Sequence, residues 1–502
     1  MSSPDFDARR RRIVLGTGAA LLAPLLNGCG SGSGGSGSAG GGPYLRPDIP
    51  PQPPVQPGLA LQPRGIHLSF AGDPLRSRAV TWFTDGLRNP GSVVEYGPVE
   101  PGMSPEAIQG TPLPHRAEGY VQEAYDIDVL THRAFMDGID PELPLRYRVG
   151  HEGIWSPVFV VKAAPTGSGF RFCQSADMGA TLPQRWVVGG LVRNDPDFFL
   201  LPGDLSYADG TQSVWDDYFG NMQALTAQVP MMAVPGNHEE NDGNGDGYLS
   251  RTTHMQAQQG ARGWYSFTFR NVHFCCSTAG SFAEDGQLES ELAFIEADLA
   301  EASARRARGE IDFIVLTSHY PLWTDEEGDA PNSEGAIALF EDTILRYGVD
   351  IHAVGHDHIY QRSQRFARGV PDPDGYFQVM TGNGGKSMRA FEREIGPWSG
   401  AEAQRYGFTE YRVEGTRIRG TTYAVDIRIG GRGEEALHLP ALRDEVIDEF
   451  EIEARSMLAR QDYVQPARGF GTMLAQSGVG SAAKLHAAVL ARNAASAARD
   501  VA

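Results

Sequence analysis

The sequence predicts an α/β layered core preceded by a small all-β sandwich, and three observations carry that reading. Past Gly169, apolar runs of strand length alternate with helix-like stretches, the pattern of an α/β layered domain. From about Arg64 to Val161, short β-like runs alternate with turn signals instead. Gly makes up 61 of 502 residues and Pro 33. That favours many turns and a linker over a coiled coil or a helical bundle.

The first 29 residues read as an address. Arg9-Arg10-Arg11-Arg12 precedes the apolar run Ile13 to Leu26, which is shorter than the ~20 residues a membrane span needs. A basic stretch, a short apolar stretch and small residues after it describe a secretory signal. Arg10-Arg11-Arg12-Ile13-Val14 resembles a twin-arginine export signal. Leu26-Asn27-Gly28-Cys29 resembles a lipobox, in which Cys29 would carry lipid and anchor the mature chain to a membrane. Residues 30–58 form a linker. Gly30 to Gly42 is a flexible Gly/Ser tether, and Pro50 to Pro57 is stiffer polyproline. The expected location is exported, periplasmic or at the cell surface.

Residues 59–163 are the expected β-sandwich. Its strands include Gly65 to Phe70, Ala79 to Phe83 and Arg146 to Val149, and Gly72-Asp73-Pro74 and Asn89-Pro90-Gly91 are its turns. Ala163 to Gly169 is the boundary, and residues 168–426 are the α/β domain. Its apolar runs are Phe170–Cys173, Phe198–Leu201, Val229–Val234, Phe313–Leu316 and Val349–Val354. Leu288 to Arg308 has helical spacing, with Leu292, Ile295 and Leu299 on one face. In the extension 427–502, Leu442, Val446, Phe450, Ala454 and Leu458 recur every four residues, and Leu485 with Val489 begins another such pattern. Two amphipathic helices are expected there. After Cys29 the only cysteines are Cys173, Cys275 and Cys276, too few for a disulfide framework, and buried free thiols are expected.

The formal charge is −20. An acidic surface of that size argues against nucleic acid or anionic membrane as the main partner. Only Lys162, Lys386 and Lys484 are lysines among the 43 basic residues. Nothing in the sequence sets an oligomeric state.

Each apolar run of the α/β domain stops in a polar cluster. The clusters are Asp177-Met178-Gly179, then Gly203-Asp204-Leu205-Ser206-Tyr207, then Gly236-Asn237-His238-Glu239, then His319, then Gly355-His356-Asp357-His358. Ligands of open α/β sheets bind beyond the carboxyl ends of the strands. Asp, Tyr, Asn and His delivered there together describe a metal site, with glycines letting the backbone approach. A lone Asp-x-Gly is usually a turn, and a lone His is often a satisfied core residue. The ordered set of five clusters is what departs from chance.

That order resembles the purple acid phosphatases of the calcineurin-like metallophosphoesterase superfamily, over roughly residues 60 to 426. The front domain is similar too, through Trp82, Val94-Glu95-Tyr96-Gly97, His132 and Tyr147-Arg148-Val149-Gly150. So is the tail, through Ile359-Tyr360-Gln361-Arg362, Val379 to Gly385 and Thr422-Tyr423. The resemblance implies a four-layer metallophosphoesterase β-sandwich flanked by helices, behind a fibronectin-III-like domain. It implies a binuclear centre. Fe3+ would sit on Asp177, Tyr207 and His358, and Fe2+, Zn2+ or Mn2+ on Asn237, His319 and His356, with Asp204 as the bridge. Carboxylate and phenolate oxygens suit the ferric ion, and imidazoles and an amide oxygen suit a softer divalent one. The implied reaction is hydrolysis of small phosphate monoesters by a metal-bound hydroxide. His238 would be catalytic rather than a ligand, meeting the phosphate beside Asn237 or helping a proton reach the leaving group.

Two positions depart from the family pattern. Leu316 replaces a usual Val, which is conservative. After His319, where plant-like members carry a His pair near the leaving group, this chain has Trp323 to Asp329 and no His before 352. Asp325, Glu326 and His254 are the alternatives for the proton donor. The altered loop keeps a phosphodiesterase or phospholipid-cleaving activity open as the alternative. A non-catalytic surface-binding protein is disfavoured, because all seven ligand positions are filled. The alkaline phosphatase D group also pairs an export signal with a front β domain, but Gly-Asn-His-Glu and Gly-His-x-His argue for the purple acid group. Asp242-Gly243-Asn244-Gly245-Asp246-Gly247 matches half an EF-hand loop, but Thr253 stands where the bidentate Glu is required. It reads as a flexible acidic loop at the site mouth. Gly384-Gly385-Lys386-Ser387 echoes the end of a phosphate-binding loop, but Met380 stands where its leading Gly is needed. Glu239 and Glu240 would orient ligands or stay solvated.

Overall fold

A computed structural model describes residues 46–253, 261–279, 281–282, 287–329 and 334–455. The front domain is the expected sandwich. One sheet runs Arg64–Ser69, Arg78–Asp85, Val129–Met136, Tyr120–Glu123. The other runs His115–Glu118, Val93–Pro98, Leu145–His151, Ile154–Trp155, with Phe159–Val161 also on Leu145–His151. Alternate residues turn inward, as the strand period requires. Ile66 and Leu68, Val80 and Trp82, and Ala134 and Met136 meet Val94, Tyr147 and Val149 from the facing sheet. Arg133 ties this domain to the next, donating to the carbonyls of Leu249, Ser250 and Thr252 at 3.0, 2.9 and 3.1 Å.

Two mixed sheets form the heart of the second domain. The first has the order Met231–Val234, Phe198–Pro202, Phe170–Gln174, Gly407–Glu414, Arg417–Ile429, Leu437–Glu453. The second has the order Tyr265–Phe269, Val272–Cys276, Phe313–Thr317, Ile351–Val354, Phe377–Thr381, Tyr360–Ser363, Ser399–Ala403. The five strands that carry the site run parallel within their sheets. Period two explains the layering. Phe198 and Leu200 face the second sheet, where they share a core with Phe267, Phe274 and Val315. Phe199 and Leu201 point the other way, onto Leu191, Tyr218 and Met222 of the helices Leu182–Asn194 and Val214–Thr226. The second sheet repeats this with Ile314 and Leu316 against Leu292, Ile295 and Leu299 of the helix Gln287–Ala307 and Ile344 of the helix Glu334–Tyr347. The result is the four-layer calcineurin-like sandwich. Cys173, Cys275 and Cys276 are free and buried. Among the described residues no helix is long and apolar enough to cross a membrane.

The helical reading fails for the described part of the extension. Leu437–Glu453 is a 17-residue strand that extends the first sheet past residue 426, paired antiparallel with Arg417–Ile429. A spacing of four keeps one face in a strand as well as in a helix, because four is a multiple of two. The deciding signal is finer: Phe450 and Ile452 are buried while Glu449, Glu451 and Glu453 alternate with them outward. Leu442 is fully exposed, so it was never part of an apolar face. Leu458, Leu485 and Val489 lie outside the described residues, as do Cys29 and the signal.

Candidate metal centre

All five strand ends reach one edge of the domain, and the turns there are tight. Asp177, Asp204, Tyr207 and His356 adopt positive φ of 56, 51, 56 and 76°, a region non-glycine residues rarely occupy and one enriched at functional sites. The glycines beside them are required by crowding. A Cβ on Gly203 would lie 2.4 Å from His319 Nδ1, and one on Gly236 would lie 2.2 Å from Asp204 Oδ1.

The polar groups fall into two halves joined by Asp204. In one half the Tyr207 hydroxyl donates to Asp177 Oδ1 at 3.0 Å and lies 2.9 Å from His358 Nε2. In the other, Asn237 Oδ1 lies 3.0 Å from both His319 Nε2 and His356 Nδ1, which face each other at 3.2 Å. Asp204 Oδ2 is 3.2 Å from His319 Nε2. All seven residues the family resemblance names are therefore assembled, and Asp204, His319 and His356 alone set ligand atoms within 4.8 Å of one another.

The outer bonds of the histidines fix what their inner nitrogens offer. His319 Nδ1–H donates to the Pro202 carbonyl at 2.8 Å, and His358 Nδ1–H donates to the Ser387 carbonyl at 3.0 Å. In the neutral imidazole this leaves Nε2 of each as a lone pair. His319 Nε2, Asn237 Oδ1 and Asp204 Oδ2 are then three acceptors converging on one point, an arrangement that a cation satisfies and a proton network does not. Charge points the same way. Burial and the nearby Asp204 push the Asp177 carboxyl well above the usual carboxylate range. Burial also opposes charge on Asp204, and its pKa is held low by positive charge at the neighbouring His319 and His238, a part that a cation would take over where His319 is neutral. Two buried carboxylates that act on each other require compensating positive charge. The residues present fit metal ions.

His238 stands apart from the ligand set. Its Nδ1 meets both oxygens of Asp209 at 2.7 and 2.8 Å, and its Nε2 is 3.9 Å from Asp204 Oδ2. Asp209 escaped the sequence reading; its signal was only its place two residues after Tyr207. Glu239 does hold the site together. Its carboxylate accepts from the backbone N–H of Asp204, Leu205 and Gly236, each at 2.9 Å, fixing two of the turns.

Asp325 and Glu326 are not displayed to a leaving group. Asp325 accepts from Gly396 N and Gln361 Nε2, and Glu326 Oε2 accepts from His358 N at 2.8 Å. Both are buried. They brace the loop, because its backbone would otherwise lack partners. Glu327 pairs at the surface with Arg432, and His254 lies outside the described residues. Asp329, ten residues beyond His319, does come within 4.8 Å of His356 and Asp357. The EF-hand-like loop is no open acidic mouth either. Asp242 is buried and accepts from Gly210 N at 3.0 Å and from Trp215 Nε1 at 2.7 Å.

Comparison with known proteins bears on the family and the fold. Residues 173–360 match the family described as calcineurin-like phosphoesterase. Residues 63–163 match the one described as purple acid phosphatase, N-terminal domain. Purple acid phosphatase 18 of Arabidopsis thaliana is 28% identical over 364 residues, covering 70% of this chain and 78% of its own. Human acid phosphatase type 7 is 27% identical over 391 residues, covering 71% and 86%. The fold resembles that of a purple acid phosphatase from yellow lupin seeds, with a TM-score of 0.63, 20% identity and coverage of 82% and 78%.

Proposed function

This chain belongs to the purple acid phosphatase family of calcineurin-like phosphoesterases and is a metal-dependent phosphoric ester hydrolase; from that premise we propose that it is an exported binuclear phosphatase acting on small phosphate monoesters. The convergence of His319 Nε2, Asn237 Oδ1 and Asp204 Oδ2 carries the reading, with Asp177, Tyr207 and His358 as its counterpart. Asp177, Tyr207 and His358 would hold a ferric ion. Asn237, His319 and His356 would hold a divalent Fe, Zn or Mn, and Asp204 would touch both. Two such ions supply a water acidic enough to attack at neutral pH and positive charge for the phosphate oxygens.

The chain's own residues do the rest. Asp209 holds His238 Nδ1, so Nε2 faces the site and can hold or pass a proton to the departing oxygen. Asn237 keeps its amide nitrogen without a hydrogen-bond partner in the buried site, a donor suited to a phosphate oxygen. Glu239 and Glu326 keep the ligand turns in place through backbone bonds, so little rearrangement is needed on binding. Export rests on Arg9 to Leu26, and anchoring on Cys29 and the tether behind it. Cys29→Ser should release the protein from membranes.

The test is a substrate panel run on metal-analysed protein. Turnover of monoesters well above diesters is expected. Preference for diesters or phospholipids would instead select the phosphodiesterase reading, for which the missing His pair leaves room.

A further inference from the structure

The segment Gly384-Gly385-Lys386-Ser387, which fails as a phosphate-binding loop, is wrapped around one half of the centre. Gly384 N–H donates to the Ala176 carbonyl and Lys386 N–H to the Asp177 carbonyl, both at 2.9 Å. The Ser387 carbonyl accepts from His358 Nδ1 at 3.0 Å. The approach is close enough that a Cβ on Gly384 would lie 2.2 Å from the Ala176 carbonyl oxygen, and one on Gly385 would lie 2.3 Å from that of Met178. Through these contacts the loop touches Asp177 and His358. It touches the third member of that half as well, because Lys386 Nζ lies 4.1 Å from the centroid of the Tyr207 ring.

We propose that Lys386 is a positioning residue for Tyr207: its ammonium, held against the ring, sets the donor energy of the phenolate and so the colour and reduction potential of the iron bound there. This rests on the reading of Tyr207 as a ferric ligand. An ammonium within ~6 Å of an aromatic centroid is attracted by the ring's electron density. A phenolate carries more of that density than a phenol, so the attraction grows when Tyr207 is ionised. The half-buried position of Lys386 weakens screening by water. The contact recorded for the ammonium among the described residues is the Tyr207 ring itself.

The direction of the effect follows. The visible band of an iron phenolate is a transfer of electron density from ring to metal. A positive charge nearer the ring than the metal lowers the donor orbital more than the acceptor, which widens the gap. The same charge favours the reduced iron. The imidazoles of the other half pack instead against Tyr320, whose ring centroid lies 5.1 Å from that of His319 and 4.9 Å from that of His356.

The experiment compares visible spectra and reduction potentials of the iron-loaded full chain for wild type, Lys386→Met, Lys386→Arg and Tyr207→Phe, each with metal content measured. Lys386→Met keeps the stem and removes the charge. Its band should move to longer wavelength and its potential should fall, with metal content unchanged. Lys386→Arg restores a cation and should return both towards wild type. If Tyr207→Phe bleaches the colour while Lys386→Met moves neither band nor potential, the inference about Lys386 is wrong and the ligand reading stands. If Tyr207→Phe keeps the wild-type band, Tyr207 is not the ligand and both readings fall.

Discussion

The two halves of the centre are built from the same material, strand ends with tight turns, yet they differ in charge and in what surrounds them. The half made by Asp177, Tyr207 and His358 has two ionisable oxygens, a lysine against its ring and a loop laced to its backbone. The half made by Asn237, His319 and His356 has two imidazoles and a neutral amide, and His319 is fixed by the carbonyl of Pro202. Hard anionic donors select a small, highly charged ion, and imidazoles a softer divalent one. The difference teaches what two unlike ions would need in one site: unlike donor sets side by side and a shared carboxylate, Asp204, between them.

Substitutions can break that comparison in order of severity. Asp204→Ala removes the shared carboxylate and should empty both halves, abolishing turnover. Elemental analysis retaining either ion would show that Asp204 serves one side only. Tyr207→Phe and His319→Ala should each weaken one half. The first should lose the colour while keeping the divalent ion, and the second should keep the colour while losing the divalent ion. Equal loss of both ions in both variants would mean that the halves are not separable.

His238→Ala should lower kcat by roughly 10²- to 10⁴-fold, the usual contribution of a positioned acid or base, with metal content unchanged. Asp209→Asn should do the same more mildly, by about 10- to 100-fold, as expected for a residue that only orients another. Steady-state kinetics with metal analysis would separate these outcomes from ligand loss. The smallest effect belongs to Glu326→Gln, which weakens one backbone bond to His358. About a tenfold loss of affinity for the ferric side is expected, measured by competition with a chelator, with the divalent side untouched.

Much of this centre is readable in the chain because metal chemistry limits the donors to Asp, Tyr, Asn and His, and strand ends limit where they fall. The apolar run Phe198–Leu201 before Asp204 shows both facts in seven letters. What escaped was set by contacts remote in sequence. Asp209 is ordinary until the fold places it on His238. Glu326 looks like a free acid until the His358 backbone is found against it. Lys386 sits in a motif that fails its own test and acquires meaning only beside Tyr207. The extension failed for a different reason, since the spacing of Val446 and Phe450 serves strand and helix equally and only the alternating glutamates decide.

The most direct test of two unlike ions in one site is element-resolved metal analysis of metal-replete wild-type protein, read together with its visible spectrum. The account predicts two ions per chain, at least one of them iron, and a charge-transfer colour that disappears in Tyr207→Phe. A single ion per chain, or ferric iron bound without colour, would contradict it.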